Sequence, residues 1–135
     1  MPNGFTVLIT DRNRHVRNFL RREFIAEGYQ VEVAADGREL LRKISEADPP
    51  DLLILDLEIT PLGGAAILRR IQRQHPKLPV ILHTFTTEES SHPAVRKAAA
   101  FVEKAGNAEF LKKVVKRELL KFYPLDFVER VKLGK

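Results

Sequence analysis

Four polar side chains from distant parts of the chain each close an apolar run. Asp11 ends FTVLITD, Asp56 ends LLILD, Thr84 ends LPVILHT and Lys104 ends AFVEK. Taken singly they have ordinary roles: a carboxylate capping a helix or turn, a hydroxyl at a strand end, a surface cation. Taken together they describe a site built from carboxylates and cations. Asp11 and Asp56 bring two negative charges, and Arg12 and Lys104 bring two positive ones, so the group balances without a metal. Other chemistries lack their residues. With no Cys, disulfides and thiolate metal sites are excluded. Neither G-x-x-x-x-G-K-[ST] nor G-x-G-x-x-G occurs, and there is no G-x-S-x-G elbow. His15, His75, His83 and His92 show no metal-ligand spacing, and His83 is expected as a packed strand histidine beside Thr84.

The elements that must position these groups are legible from the periodicity. Residues 5–10 (FTVLIT) form a strand, and Val16, Phe19, Leu20 and Phe24 then fall at helical spacing, with Gly28 where a C-terminal cap belongs. Residues 30–35 are a short strand, Asp36-Gly37 a turn, and 38–47 a helix with Leu40, Leu41 and Ile44 on one face, broken by Asp48-Pro49-Pro50. The third strand spans 51–56. A helix with Ile67, Leu68 and Ile71 inward follows and ends before Pro76. Strand four spans 78–84, EESSHPAVRKAA makes a short helix with Pro93 in its first turn, strand five spans 100–104, and a long helix runs over 107–122 until Pro124. Apolar strands alternating with amphipathic helices predict an α/β fold: a doubly wound five-stranded parallel sheet covered on both faces. Ligands of such sheets bind outside the carboxyl ends of the strands, where all four residues lie.

With these segments in order, the chain over residues 5 to about 122 resembles the receiver domain of bacterial two-component response regulators. The resemblance rests on VLITD, LLILD, Gly64 eight residues after Asp56, PVILHT and FVEK. It implies the flavodoxin-like strand order 2-1-3-4-5. It also implies phosphorelay signal transduction, with Asp56 accepting a phosphoryl group from a histidine kinase or phosphotransfer protein. Thr84 matches the hydroxyl that senses the phosphoryl oxygen, Lys104 the lysine that pairs with it, and Phe101 the aromatic that turns inward on activation. Such a domain is a phosphoacceptor and not an enzyme beyond slow self-dephosphorylation, and it is a cytoplasmic phosphoprotein that signals through a downstream protein partner. Whether it forms a homodimer is left open.

Several positions depart from the family. Receivers use a pair of acids after strand one to hold Mg2+. Asp11 matches the first, but Arg12 stands where the second belongs. A cation there repels Mg2+, which wants hard oxygen ligands in octahedral geometry, so metal binding by Asp11, Asp56 and Glu58 is expected to be weak or absent. Glu58 either replaces the missing acid or clasps Arg12, and Asn13 offers a further amide oxygen. Thr60 stands where the family has Pro, and Ala105 where it has the Pro after the lysine, which implies a different direction for Lys104. The stretch between Thr84 and Lys104 is short, implying an altered fourth helix. The alternative reading is a phosphorylation-independent pseudo-receiver, a protein-interaction module in which an Arg12–Asp56 ion pair mimics the neutralised acceptor.

Bulk properties agree with a single domain. The chain has 135 residues, 44% of them hydrophobic and 30% charged, with a net charge of +5 and a pI near 9.7. Residues 96–135 hold 11 Lys/Arg against 5 Asp/Glu, and Arg12, Arg14, Arg17, Arg21 and Arg22 form a second basic cluster. These charges alternate with apolar positions at helical spacing, which is the pattern of solvated helix faces and makes nucleic acid an unexpected partner. No apolar run approaches the ~18 residues of a membrane span, and Asp11 interrupts the amino-terminal run too soon for a signal peptide. The expected organisation is a receiver domain over 1–122 and an extension over 123–135 with no separate output domain. Leu125, Phe127, Val128 and Val131 are set to pack on the domain or on a partner.

Overall fold

Strands that are apolar on both sides must be covered on both sides, and the computed structural model shows how this is done. It describes residues 4–46, 48–59, 63–85 and 92–124. The strands β1 (Thr6–Thr10), β2 (Gln30–Ala34), β3 (Leu52–Leu55), β4 (Val80–Thr84) and β5 (Ala100–Glu103) alternate with the helices α1 (Arg14–Ala26), α2 (Gly37–Ile44), α3 (Gly64–Gln74), α4 (Pro93–Arg96) and α5 (Glu109–Phe122). All strand pairs are parallel, in the expected order β2-β1-β3-β4-β5.

The side-chain alternation of each strand divides the core into two layers. Phe5, Val7, Ile9, Leu52 and Ile54 pack with Leu20 and Phe24 of α1 and with Leu111, Val115 and Leu119 of α5. Leu8, Leu53, Leu55 and Leu82 face the other way, against Leu40 and Ile44 of α2, Ile67, Leu68 and Ile71 of α3, and Val95 of α4. The Arg residues singled out on α1 behave as a solvated face: Arg14, Arg21 and Arg22 are exposed while Leu20 and Phe24 are buried.

Helix ends follow their capping chemistry. Asn13 caps α1, its Oδ1 accepting from the amides of His15 (2.9 Å) and Val16 (3.1 Å). Gly28 takes a positive φ of 97° just past that helix, where a side chain would be strained. At α2 the expected Asp36-Gly37 turn is held from both sides: Asp36 Oδ1 accepts from Glu39 N at 2.9 Å as the N-cap, and Glu39 Oε1 reaches back to accept from Ala35 N, one residue before the cap, at 2.9 Å. This helix ends at Ile44, earlier than the periodicity predicts. Similarly, α5 starts at Glu109, because Asn107 turns its side chain to the Glu109 amide (3.0 Å). The fourth helix is as short as expected, with His92 at its N-cap and Pro93 in its first turn. Residues 86–91, which include the start of the helix expected from the sequence, lie outside the described residues. So do the Thr60 and Pro61 positions, and 125–135 of the expected extension.

Two local features hold the sheet ends. After β3 the chain doubles back so closely that Gly64 N donates to Leu57 O at 3.1 Å, and a Cβ at Gly64 would collide with the Leu57 backbone. At the other end of the same strand, Tyr123 donates its hydroxyl to Asp51 O at 2.8 Å and sets its ring 5.8 Å from that of Phe5.

Candidate functional site

Strand order changes direction between β1 and β3, since β1 pairs with β2 on one side and β3 on the other. Thr10 lies opposite Leu55, so Asp11 and Asp56 emerge together, one residue past the paired strand ends. Backbone bonds continue the ladder beyond the strands: Asp56 N donates to Thr10 O at 3.0 Å, and Lys104 N to Thr84 O at 3.0 Å. The four residues expected from the sequence are thus brought to one rim at the switch point of the sheet.

Asp11 and Asp56 are each 1% exposed. Two buried carboxylates need compensation, and Lys104 supplies it. Its Nζ lies 2.8 Å from Asp11 Oδ2 and 3.1 Å from Asp56 Oδ2, with the lysine side chain 7% exposed. The different direction expected for Lys104 from Ala105 is therefore not found: the ammonium points into the site. Burial alone would lower the Lys104 pKa. Hydrogen bonding and charge from Asp11, and then from Asp56, outweigh it and hold that pKa above the usual lysine value. The remaining carboxylate oxygens are fixed by backbone: Asp11 Oδ1 accepts from Asn13 N (2.8 Å), and Asp56 Oδ1 from Glu58 N (3.0 Å).

Arg12 does not join this cluster. It is 55% exposed and pairs with Glu58, Nη2 to Oε2 at 2.9 Å. Of the two roles open to Glu58, the structure has it clasping Arg12. The Arg12–Asp56 pair invoked for the pseudo-receiver is not formed, because Asp56 has Lys104 as its cation. Asn13 spends its amide oxygen on the α1 cap and offers none to a metal.

A divalent ion fits these residues poorly. The Oδ1 atoms of Asp11 and Asp56 accept from backbone amides, the Lys104 ammonium occupies the space between their Oδ2 atoms, and the Glu58 carboxylate is held by a guanidinium. Among the described residues no three acidic or histidine side chains converge as a metal site.

Thr84 is fully buried, and its hydroxyl has no hydrogen-bond partner among the described residues. Phe101 is half-buried against the α3–α4 layer of the core. His83 is buried as expected, with its pKa lowered to about 4. Burial is the main cause, the Lys104 charge adds to it, and Asp56 opposes both. Phe85 has no role legible in the sequence. It is 67% exposed, and its ring lies 5.1 Å from the Lys104 ammonium. An aromatic following Thr84 at a strand exit is the only available signal. Arg17 stands out in the sequence only as one of a basic cluster, yet it donates to Asp11 O at 2.8 Å and ties α1 to the rim.

Comparison with known proteins yields a consistent set. The family model of the response regulator receiver domain matches residues 7–122. Response regulator MprA of Mycolicibacterium vanbaalenii is 36% identical over 94 residues, covering 70% of this chain and 40% of MprA. The chain thus spans about 40% of the length of that relative. Among solved structures, response regulator TrrA of Thermotoga maritima, in complex with Mg2+-BeF, superposes with a TM-score of 0.78 at 29% identity, covering 84% of this chain and 97% of TrrA. TrrA in its complex with histidine kinase ThkA gives a TM-score of 0.77 at 30% identity, covering 85% and 98%.

Proposed function

The chain belongs to the response regulator receiver domain family of two-component phosphorelay signalling, and from that premise we propose that Asp56 is its phosphoacceptor. The observation that carries this is the single ammonium of Lys104 held between the buried carboxylates of Asp11 and Asp56 at the switch point of the sheet. Carboxylate attack on a phosphoryl group needs in-line positioning and charge neutralisation more than acid–base chemistry. Glu58 N fixes one oxygen of Asp56, and Lys104 stands ready to pair with the incoming phosphoryl oxygens. An unpartnered buried hydroxyl costs about 1–3 kcal/mol. A phosphoryl oxygen at Asp56 would supply the partner that Thr84 lacks, drawing β4 toward the acceptor. The space this leaves beside the strand is open to Phe101, whose ring is only half-buried.

Receiver domains are phosphoacceptors rather than enzymes, and self-dephosphorylation here is slow. Mg2+ binds weakly or not at all, for the reasons of fit given above. The phosphoryl group comes from a histidine kinase or phosphotransfer protein, a reading supported by the complex of the related TrrA with ThkA. The output is contact with a downstream protein, not with nucleic acid, and the domain works in the cytoplasm; no helix among the described residues is long and apolar enough to cross a membrane. Residues 1–122 are the receiver, and 123–135 an extension.

The test is intact mass after incubation with acetyl phosphate. A gain of one phosphoryl group in the wild type that is absent in Asp56→Asn supports Asp56 as acceptor. A gain that persists in Asp56→Asn places the chemistry elsewhere.

A further inference from the structure

We propose that Arg12 does in this site the work of a divalent metal: it leaves Glu58 and binds the phosphoryl group on Asp56. The inference rests on Asp56 being the acceptor. Exchanging an acid for Arg at position 12 raises the charge of the rim by two, the charge that a divalent ion would have brought. The phosphorylated rim then holds Asp11, the phosphoryl dianion, Lys104 and Arg12, and the positive charge of Lys104 is no longer alone.

The geometry allows the movement. Arg12 follows directly on Asp11, which shares its ammonium with Asp56. Its present partner Glu58 lies two residues past Asp56 and donates its own amide to the Asp56 carboxylate at 3.0 Å. The guanidinium and the acceptor are therefore attached to the same short turn. The Arg12–Glu58 pair is exposed, 55% and 33% by side chain, and exposed pairs hold their partners weakly. A phosphoryl dianion is the better partner, because the planar guanidinium meets two of its oxygens at once. Glu58 is thus the resting place of Arg12.

The covalent step balances without a metal or a proton. A carboxylate oxygen of Asp56 attacks the phosphorus of acetyl phosphate, and a P–O bond forms as the bond to the acetate oxygen breaks. Acetate leaves with the electron pair. The carboxylate's single negative charge ends on acetate, and the dianion ends on Asp56.

The experiment follows adduct formation by intact mass on the full chain with acetyl phosphate, in EDTA and in Mg2+. The wild type is expected to react in EDTA within about threefold of its rate in Mg2+, and Arg12→Ala to lose at least about tenfold in EDTA. Arg12→Asp should require Mg2+ and, by titration calorimetry without phosphodonor, should bind Mg2+ where the wild type does not. Glu58→Gln, by freeing Arg12, should react faster than wild type in EDTA. A wild type that reacts only in Mg2+ overturns the proposal and leaves Asp56 as acceptor. The proposal fails equally, with the acceptor retained, if Arg12→Ala reacts in EDTA as fast as the wild type, or if Arg12→Asp in Mg2+ reacts where the wild type is inert. Absence of adduct in every folded variant under both conditions overturns the proposal and the acceptor reading together.

Discussion

Two lysines in this molecule sit among acids, and they differ in what happens to those acids when the lysine is gone. Lys104 at the rim lies 2.8 and 3.1 Å from Asp11 and Asp56, whose side chains are 2% and 1% exposed. Lys112, on the seam between α1 and α5, lies 2.8 Å from Glu23, 3.5 Å from Glu109 and 3.8 Å from Glu27, and those acids are 34% to 72% exposed. The lysine side chains are 7% and 14% exposed, and each has its nearest partner at 2.8 Å. The acids of Lys112 keep their water, so that cluster is a clip between helices that solvent can replace. The acids of Lys104 have little solvent to return to. Their ammonium is a structural requirement, and it is held where a phosphoryl group would claim it.

That contrast can be broken most severely at Lys104. Replacing it by Met leaves two carboxylates buried without their cation, at a cost of about 3–5 kcal/mol at pH 7 by urea unfolding. Adding Asp11→Asn to Lys104→Met should recover part of this loss, because one of the two buried carboxylates is then neutral; a loss that the second substitution leaves unchanged would place the defect in packing instead. A second test uses His83, whose pKa falls from 6.5 to about 4 through burial and the Lys104 charge. Between those pH values the unfolded chain binds a proton that the folded chain refuses, so stability rises with pH across that window. His83→Leu should remove up to about 3 kcal/mol of this slope. In Lys104→Met the His83 pKa itself should rise, which proton NMR of the ring would show. The smallest effect is expected at the seam. Lys112→Met should move Tm by no more than about 2 °C, and the difference should fade as salt is added. A larger change, insensitive to salt, would erase the distinction between the two sites.

The strands are legible in the sequence because burial on both faces leaves an unbroken apolar run, and the end of each run locates Asp11, Asp56, Thr84 and Lys104. Helix limits are less so. At Ile44 the helix closes with Ser45 Oγ donating to Leu41 O, and Glu109 opens α5 after its amide has turned to Asn107 Oδ1, local bonds that the hydrophobic period does not reveal. The direction of Lys104 differs from the sequence expectation, since a lysine's aim is set by the two carboxylates it must neutralise and not by the residue that follows it. The choice made by Glu58 is open in the sequence for a related reason. Three acids and two cations at one rim admit more than one pairing, and which forms depends on burial. The buried acids take the cation that can be buried with them, leaving Arg12 and Glu58 to each other at the surface. Phe85 carries no pattern at all, because its contact with Lys104 arises from two segments that meet only in the fold.

The hydroxyl of Tyr123 has a consequence for how the domain can speak to whatever it adjoins. It fastens the end of α5 to Asp51, at the start of the strand whose finish carries Asp56. Strand β3 is thus a rod with Asp56 at one tip and the anchor of α5 near the other, some 17 Å away at about 3.3 Å per residue. A change at Asp56 that shifted β3 along its length would therefore be felt at the end of α5, through a single hydroxyl.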